Sequence, residues 1–162
     1  MEENKYQEKV KQANKNLQNA QYLLDHTYTL IQDPKVLINV LMKIHDAFDQ
    51  SIAAFIYRDR EVKLISNFHD SSQSRKNIFL RKCVKRYGFE KSIMSTITEI
   101  KEILDEHKKS PVEFARNKEF IICNDKFKFK KININDAKDF LMRAKDFSYK
   151  IEKLIQLNKF KE

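Results

Sequence analysis

The chain lacks most of the residues that interrupt regular structure. Its 162 residues include one glycine and two prolines, so we expect few, long elements joined by short turns. Phosphate-binding loops, dinucleotide-binding motifs and serine-nucleophile elbows need several glycines, and the enzyme classes that depend on them are excluded. No window approaches the roughly 18 apolar residues of a membrane span, and we predict no membrane partner.

Cysteine is also scarce. Cys83 and Cys123 stand among apolar neighbours, and neither has a second cysteine or a histidine at metal-ligand spacing. We interpret both as buried thiols and predict neither a metal site nor a cofactor. The amino-terminal segment MEENKYQEKV is acidic and polar and lacks the apolar centre of a secretory signal. The expected setting is therefore reducing and cytoplasmic.

What the chain does have is charge, and it is unevenly distributed. Charged residues make up 34% of the chain, and the formal net charge is +9. Residues 1–74 carry 9 Lys and Arg against 10 Asp and Glu, whereas residues 75–162 carry 23 against 13. The second half therefore favours an anionic partner, which leaves open nucleic-acid phosphate, an acidic protein and anionic lipid. Lysine-rich surfaces without any such partner are the remaining alternative.

Apolar periodicity predicts five helices. The second helix is apolar over most of its circumference and is expected at the centre of the fold. A loop is expected between the second and third helices, where EVKLISNFHDSSQS shows no helical period. The predicted helices cover residues 3–30, Pro34 to about residue 60, Ser74–Tyr87 with Gly88 after its end, Lys91–Lys108, and a last helix opened by a capping box of Asn133 and Asp136.

Residues 119–132, EFIICNDKFKFKKI, differ from the rest of the chain. Phe127 and Phe129 alternate with lysines, which is the two-residue period of a half-buried strand. The run EFIIC is predicted to be the partner strand, with Asn124-Asp125 in a tight turn. Because a lone hairpin is marginal in water, we expect both phenylalanines to face the helices. The predicted fold is one all-α domain, residues 1–162, with five helices and one small β-hairpin before the last.

The segment HKKSPVEFARNKEFIICNDKFKFKKININDAKDFL, residues 107–141, resembles a group of small uncharacterised archaeal proteins. In that group a five-helix chain carries a Ser-Pro-Val-Glu-Phe segment followed by a charged Phe-Val-Ile-Cys hairpin. The likeness extends back through DPKVLINVL, FHDSSQS and RKCVKRYGFEK. More remotely, helix order and size are similar to the HEPN superfamily, helical bundles of prokaryotic toxin, defence and RNA-processing systems. This resemblance implies a homodimer, which we expect to form through the most apolar exposed stripe.

Active HEPN ribonucleases carry an arginine followed, after four to six residues, by a histidine. The histidines of this chain are His26, His45, His69 and His107, and no arginine stands at that spacing before any of them. The nearest approximation is Arg60, with eight residues between it and His69. The departure argues against metal-independent RNA cleavage of the usual kind.

Two histidines have acidic neighbours. His69 and Asp70, in the long loop, are residue types that can form a general base and its orienting carboxylate. We prefer the alternative that Asp70 anchors the loop, because no nucleophile partner can be named. His45 lies one turn before Asp49 and could begin a metal site. One helix supplies too few ligands, so a buried polar cluster or a dimer contact is preferred.

Basic residues form two groups, one on the predicted third helix and one around the hairpin. If both groups lie on one side of the bundle, they form a surface for phosphates. Tyr87 and Phe89 could then stack on unpaired bases. The candidate contact residues are Arg75, Arg81, Lys82, Lys85 and Arg86 in the first group and Arg116, Lys118, Lys126, Lys128 and Lys130 in the second.

The predicted function is a non-enzymatic adaptor that binds RNA or a ribonucleoprotein surface through its basic second half. One alternative is a protein-interaction subunit whose partner is an acidic protein. A second alternative is a HEPN-type ribonuclease with an atypical site around His69.

Overall fold

The computed structural model describes residues 4–158, and it is mostly helical. The start predicted at residue 3 and both ends of the predicted domain lie outside the described residues. The prediction of five helices is confirmed, and a small antiparallel sheet lies between the last two. The helices are α1 (Lys5–Tyr22, continued by a π-helical turn at Leu23–Thr27 and by Tyr28–Ile31), α2 (Val36–Glu61), α3 (Ser72–Ile78 with a π-helical turn at Phe79–Cys83), α4 (Lys91–Lys109) and α5 (Ile134–Asn158). The strands are β1 (Val112–Arg116), β2 (Glu119–Cys123) and β3 (Phe129–Ile132).

Helix α2 is the central helix, as its composition predicts. It packs against α1, α3, α4 and α5, and its buried residues lie all around its axis. At its centre, Phe55 meets Phe79 of α3 edge to face, and Phe79 in turn meets Phe147 of α5 with ring centroids 5.6 Å apart. Burying one such ring contributes about 1.5–3 kcal/mol, so this aromatic contact is a main tie between α2, α3 and α5.

Helix boundaries follow local capping chemistry. The cap of helix α3 is Ser71, three residues before the predicted Ser74, because the Ser71 hydroxyl accepts the Ser74 backbone NH at 3.1 Å. The last π-helical turn of α3 ends at Cys83, so the predicted end at Tyr87 is wrong by four residues. Gly88 ends the turn that follows, and its φ of +69° is the predicted left-handed value. The predicted capping box is present: Asn133 NH donates to the Asp136 carboxylate at 3.0 Å, and Asp136 NH donates to the Asn133 side chain at 2.9 Å.

The predicted hairpin is present as β2 and β3, but it is part of a three-stranded sheet. Strand β1 was not predicted, and it pairs antiparallel with β2. Asn117 and Lys118 have φ values of 52° and 64° and form a two-residue turn between β1 and β2. The tight turn predicted at Asn124-Asp125 is wrong. The Asn124 side chain accepts the backbone NH groups of Lys126 and Lys128, which widens the β2–β3 connection and places the positive φ, 58°, at Phe127.

Both cysteines are buried free thiols, which confirms their interpretation as core residues. Burial, assisted by the nearby Asp59 carboxylate, raises the pKa of the Cys83 thiol to about 12. Across residues 4–158, no helix has the length and apolar character needed to cross a bilayer.

Candidate nucleic-acid interface

One face of the sheet is turned away from the helices. Side chains alternate between the two faces along each strand, and Phe120, Ile122 and Ile132 on the inner face belong to the buried core. On the opposite face, strand pairing places six residues in two rows across β1, β2 and β3. We call this the outer sheet face: it consists of Val112, Cys123 and Phe129 in one row and Phe114, Ile121 and Lys131 in the next.

The outer sheet face exposes large apolar side chains. Phe114 is 39% exposed, Phe129 57% and Val112 52%, and Phe127 in the preceding loop reaches 83%. The expectation that Phe127 and Phe129 face the helices is therefore wrong. Phe127 lies in the β2–β3 loop, outside the strand alternation, and the pairing of Ile132 with buried Phe120 assigns the inner face to Ile132 instead of Phe129.

Lys130 lies on the inner face, where its ammonium group is close to two carboxylates of α4. Its ammonium group is 3.5 Å from a carboxylate oxygen of Glu102 and 4.0 Å from one of Glu106. On the same face, Glu113 of β1 contacts His107 Nδ1 at 2.7 Å. These contacts attach the sheet to the end of α4, so Lys130 is a structural lysine and a poor candidate for binding a ligand.

The other basic side chains around the sheet are exposed. A groove of about 350 Å³ crosses the outer sheet face, and it is lined by Arg116 and Lys131 with one carboxylate, Glu119. We call the exposed basic residues the rim cations: Arg116, Lys118, Lys126, Lys128 and Lys131. Within residues 4–158, their side chains form no hydrogen bond, ion pair or ring contact with the protein.

The basic residues of the third helix have a different environment. Arg75 donates to Asp70 at 2.6 Å, and its side chain is 18% exposed. Arg81 donates to the Asn77 carbonyl oxygen. Burial raises the pKa of Asp59, and Arg86 lies close enough to this carboxylate to oppose part of that rise. Lys82 and Lys85 are exposed and form no ion pair within residues 4–158.

Neither aromatic residue at the end of that basic segment has a ring available for stacking, so the predicted stacking role is wrong. Phe89 is buried against Phe79 and Phe147, with ring centroids 5.0 Å and 5.5 Å away, and the Lys150 ammonium lies over its ring. Tyr87 is half-buried and donates its hydroxyl to Asp59 at 3.2 Å.

A carboxylate separates the two basic groups. Glu102 lies between them, because it lines the groove between α3 and α4 and also pairs with Lys130. The rim cations and the exposed lysines of the α3 segment are thus separate positive regions.

Asp70 anchors the long loop. It accepts hydrogen bonds from the Tyr57 hydroxyl at 2.7 Å and from Arg75, and the Lys5 ammonium is 3.7 Å away. Burial alone would raise the pKa of Asp70, but the contacts with Tyr57 and Arg75 outweigh it and hold the pKa below its usual value. His69 is exposed, and its ring forms no contact with Asp70. The pair therefore lacks the oriented geometry of a general base.

His45 belongs to a polar cluster between α2 and α3. Its Nε2 lies 3.5 Å from the Lys76 ammonium, which is 3.4 Å from the Asp49 carboxylate, and Ser72 donates to Asp49 at 3.1 Å. Burial lowers the pKa of His45, with Lys76 acting in the same direction and Asp49 opposing. The cluster ties the two helices together. Among residues 4–158, no three His, Cys, Asp or Glu side chains are placed to hold a metal ion.

Sequence reasoning missed Val112 and Phe114 as surface residues of one site. The alternation in VEFAR, with Val112, Phe114 and Arg116 at every second position, was the available signal for a strand. A three-stranded sheet follows only when the Asn-Lys pair at 117–118 is recognised as a turn.

Comparison of the chain with family models, curated proteins and solved structures gave no match. The resemblance to the archaeal group and to HEPN bundles stays a prediction.

Proposed function

We propose that the protein is a non-enzymatic adaptor that binds RNA, or the RNA of a ribonucleoprotein surface, through the outer sheet face and the rim cations. The observation that supports this is the state of those five cations, which have no carboxylate partner within residues 4–158. A cation that is already paired must lose its partner to bind a phosphate, whereas a solvated one only exchanges water and counterions.

The exposed lysines of the α3 segment supply a second, weaker contribution in this proposal. Lys82 and Lys85 are solvated like the rim cations, but Glu102 lies between the two regions. A strand of RNA that followed both would pass Glu102 in addition to Glu119 of the groove, and each carboxylate repels phosphate. We therefore assign the main contact to the sheet.

The test is a salt titration of the affinity of the full chain for a short generic RNA, followed by fluorescence anisotropy. If about five phosphates are neutralised, the logarithm of the affinity should fall with the logarithm of salt with a slope of roughly −3 to −4. Replacing Arg116 and Lys131 together by glutamine should reduce the magnitude of that slope by about 1.4.

The matched control replaces two exposed lysines outside the sheet, Lys15 on α1 and Lys35 just before α2. Lys15→Gln with Lys35→Gln makes the same change in net charge and should leave the slope unchanged. An equal loss in both double variants would show that only net charge matters, and no binding even at low salt would refute the proposal.

The acidic protein partner remains a second candidate, and one observation favours it. The outer sheet face has an apolar centre of Val112, Phe114 and Phe129 with charged residues around it, which is the usual anatomy of a protein interface. Absence of RNA binding at low salt would favour this candidate. Cleavage of the RNA, lost in His69→Ala, would instead revive the ribonuclease alternative.

A further inference from the structure

The outer sheet face repeats one small unit on its two edge strands. On β1, Phe114 is followed two residues later by Arg116, and on β3, Phe129 is followed two residues later by Lys131. Residues two apart on a strand share a face. Because β1 and β3 are both antiparallel to β2, they run in the same direction. The sheet thus presents two rings, each with a cation beyond it in the same direction.

The two rings are separate from each other. Phe114 lies in the same row of the sheet as Lys131. Phe129 lies in the neighbouring row. Neighbouring strands are about 4.8 Å apart and residues two apart along a strand about 7 Å apart, so the Cα atoms of the two phenylalanines are separated by roughly 12 Å. Within residues 4–158, neither ring contacts another aromatic ring or a cation.

These open rings differ from the aromatic side chains of the core. Phe55, Phe79, Phe89 and Phe147 cover one another in the core. Phe114 and Phe129 instead line the groove of about 350 Å³, together with Arg116 and Lys131. A flat, apolar group can therefore rest on each ring while an anionic group meets the neighbouring cation.

We infer that the ligand of this face is single-stranded RNA, with one unpaired base stacked on Phe114, another on Phe129, and the adjoining phosphates bound by Arg116 and Lys131. The inference rests on the proposed function and names its substrate class. Nucleic-acid bases have a π-face irrespective of sequence, and stacking on an aromatic side chain is the common way of holding unpaired bases. A duplex cannot use these rings, because its bases are already stacked inside the helix.

Charge complementarity favours this ligand over a second copy of the chain. The cations that border the rings would face the same cations across a symmetric dimer. An acidic peptide would satisfy the cations, but carboxylates would leave the two open rings without a flat partner. Unpaired RNA supplies both kinds of group, because each nucleotide along the strand carries an anionic phosphate and a flat base.

The experiment compares three probes with the full chain: a 12-nucleotide oligouridine, a 12-base-pair RNA duplex and inorganic polyphosphate. Phe114→Leu and Phe129→Leu remove each ring but keep an apolar side chain over the buried Ile121 and Cys123. Each variant should weaken oligouridine binding about tenfold, or ~1.4 kcal/mol, and leave its salt slope unchanged. Duplex binding should be weaker than oligouridine binding and unaffected by either change.

The control is Tyr149→Leu, which removes an exposed ring, 63% accessible, from α5. It should leave the affinity for all three probes unchanged. Thermal unfolding of the leucine variants should match that of the unchanged protein, because both rings are on the surface.

The outcomes separate the two proposals. No binding of any RNA refutes the proposed function and the inference with it. Equal binding of oligouridine and duplex, or leucine variants that bind oligouridine like the unchanged protein, overturns the inference but leaves the proposed function standing. Polyphosphate binding as tight as oligouridine binding would also overturn the inference and leave the proposed function standing. A lower molecular mass of Phe114→Leu in sedimentation would assign the face to a dimer and also overturn the inference.

Discussion

The α3 segment and the three-stranded sheet are both rich in lysine and arginine, but they use these residues differently. In and beside α3, Arg75 and Lys76 pair with carboxylates of the long loop and of α2. At the sheet, Lys130 is the one cation with an ion pair among residues 4–158, and the rim cations extend into solvent. A cation becomes structural when the fold brings a carboxylate from a distant segment to it. The comparison teaches that a run of basic residues indicates a binding surface only where its members are not already paired with carboxylates of the same protein.

The largest expected effect tests the structural side of the comparison. Phe79→Ala, in the π-helical turn of α3, removes a ring that is fully buried against Phe55 and Phe147. It should lower the free energy of unfolding by about 3–5 kcal/mol in urea titrations. Phe129→Ala on the exposed sheet face should change it by no more than about 0.5 kcal/mol. Similar losses in both variants would mean that the outer sheet face is not a free surface.

A smaller effect is expected from the paired lysine of α3. Lys76→Met keeps the aliphatic stem but leaves Asp49, whose side chain is 23% exposed, without its cation. We expect a loss of about 1–3 kcal/mol in the free energy of unfolding. Lys82→Met, at an exposed position of the same segment, should change it by no more than about 0.5 kcal/mol. Equal effects would contradict the distinction between paired and solvated cations.

The His45 cluster gives a pH-dependent prediction of smaller size. Burial and Lys76 lower the pKa of His45 below its ordinary 6.5, with Lys101 of α4 also lowering it and with Asp49 and Asp46 opposing. The unfolded chain therefore binds a proton more readily at this residue than the folded chain, and stability should fall as the pH drops below about 6.5. In His45→Gln that part of the pH dependence should disappear from urea-unfolding curves, whereas exposed His69→Gln should retain it.

The smallest effect on stability distinguishes two adjacent lysines on opposite faces of β3. Lys130→Gln removes a partly exposed ion pair with Glu102 and should cost no more than about 1 kcal/mol. It should leave the salt slope of RNA binding unchanged. Lys131→Gln should leave stability unchanged and reduce the magnitude of that slope by about 0.7. The reverse pattern would mean that the faces of β3 are assigned wrongly.

Local signals predicted the helices well. The stripe from Tyr6 to Leu24, the all-round apolar composition of α2, the left-handed Gly88 and the Asn133–Asp136 box are each determined by residues within a few turns of one another. The cap of α3 was placed three residues late because several serines in FHDSSQS can serve, and only the folded chain selects Ser71.

The sheet was predicted in part, and its failures have one physical cause. Alternation of Lys and Phe fixes the period of β3 but not which half of the alternation faces the helices. That choice depends on pairing Ile132 with buried Phe120 and on carboxylates of α4 that accept Lys130 from the inner side. Both partners are distant from β3 along the chain, so the sequence pattern alone assigned Phe129 to the wrong face.

The burial of both native thiols makes the folded protein convenient for spectroscopy. Thiol reagents act on the thiolate, and at neutral pH Cys83, with a pKa of about 12, is almost entirely protonated as well as enclosed. A new cysteine in the Asn117-Lys118 turn would therefore accept a maleimide dye selectively, with no need to remove the native pair. Such a dye would stand beside the groove and report its occupancy directly.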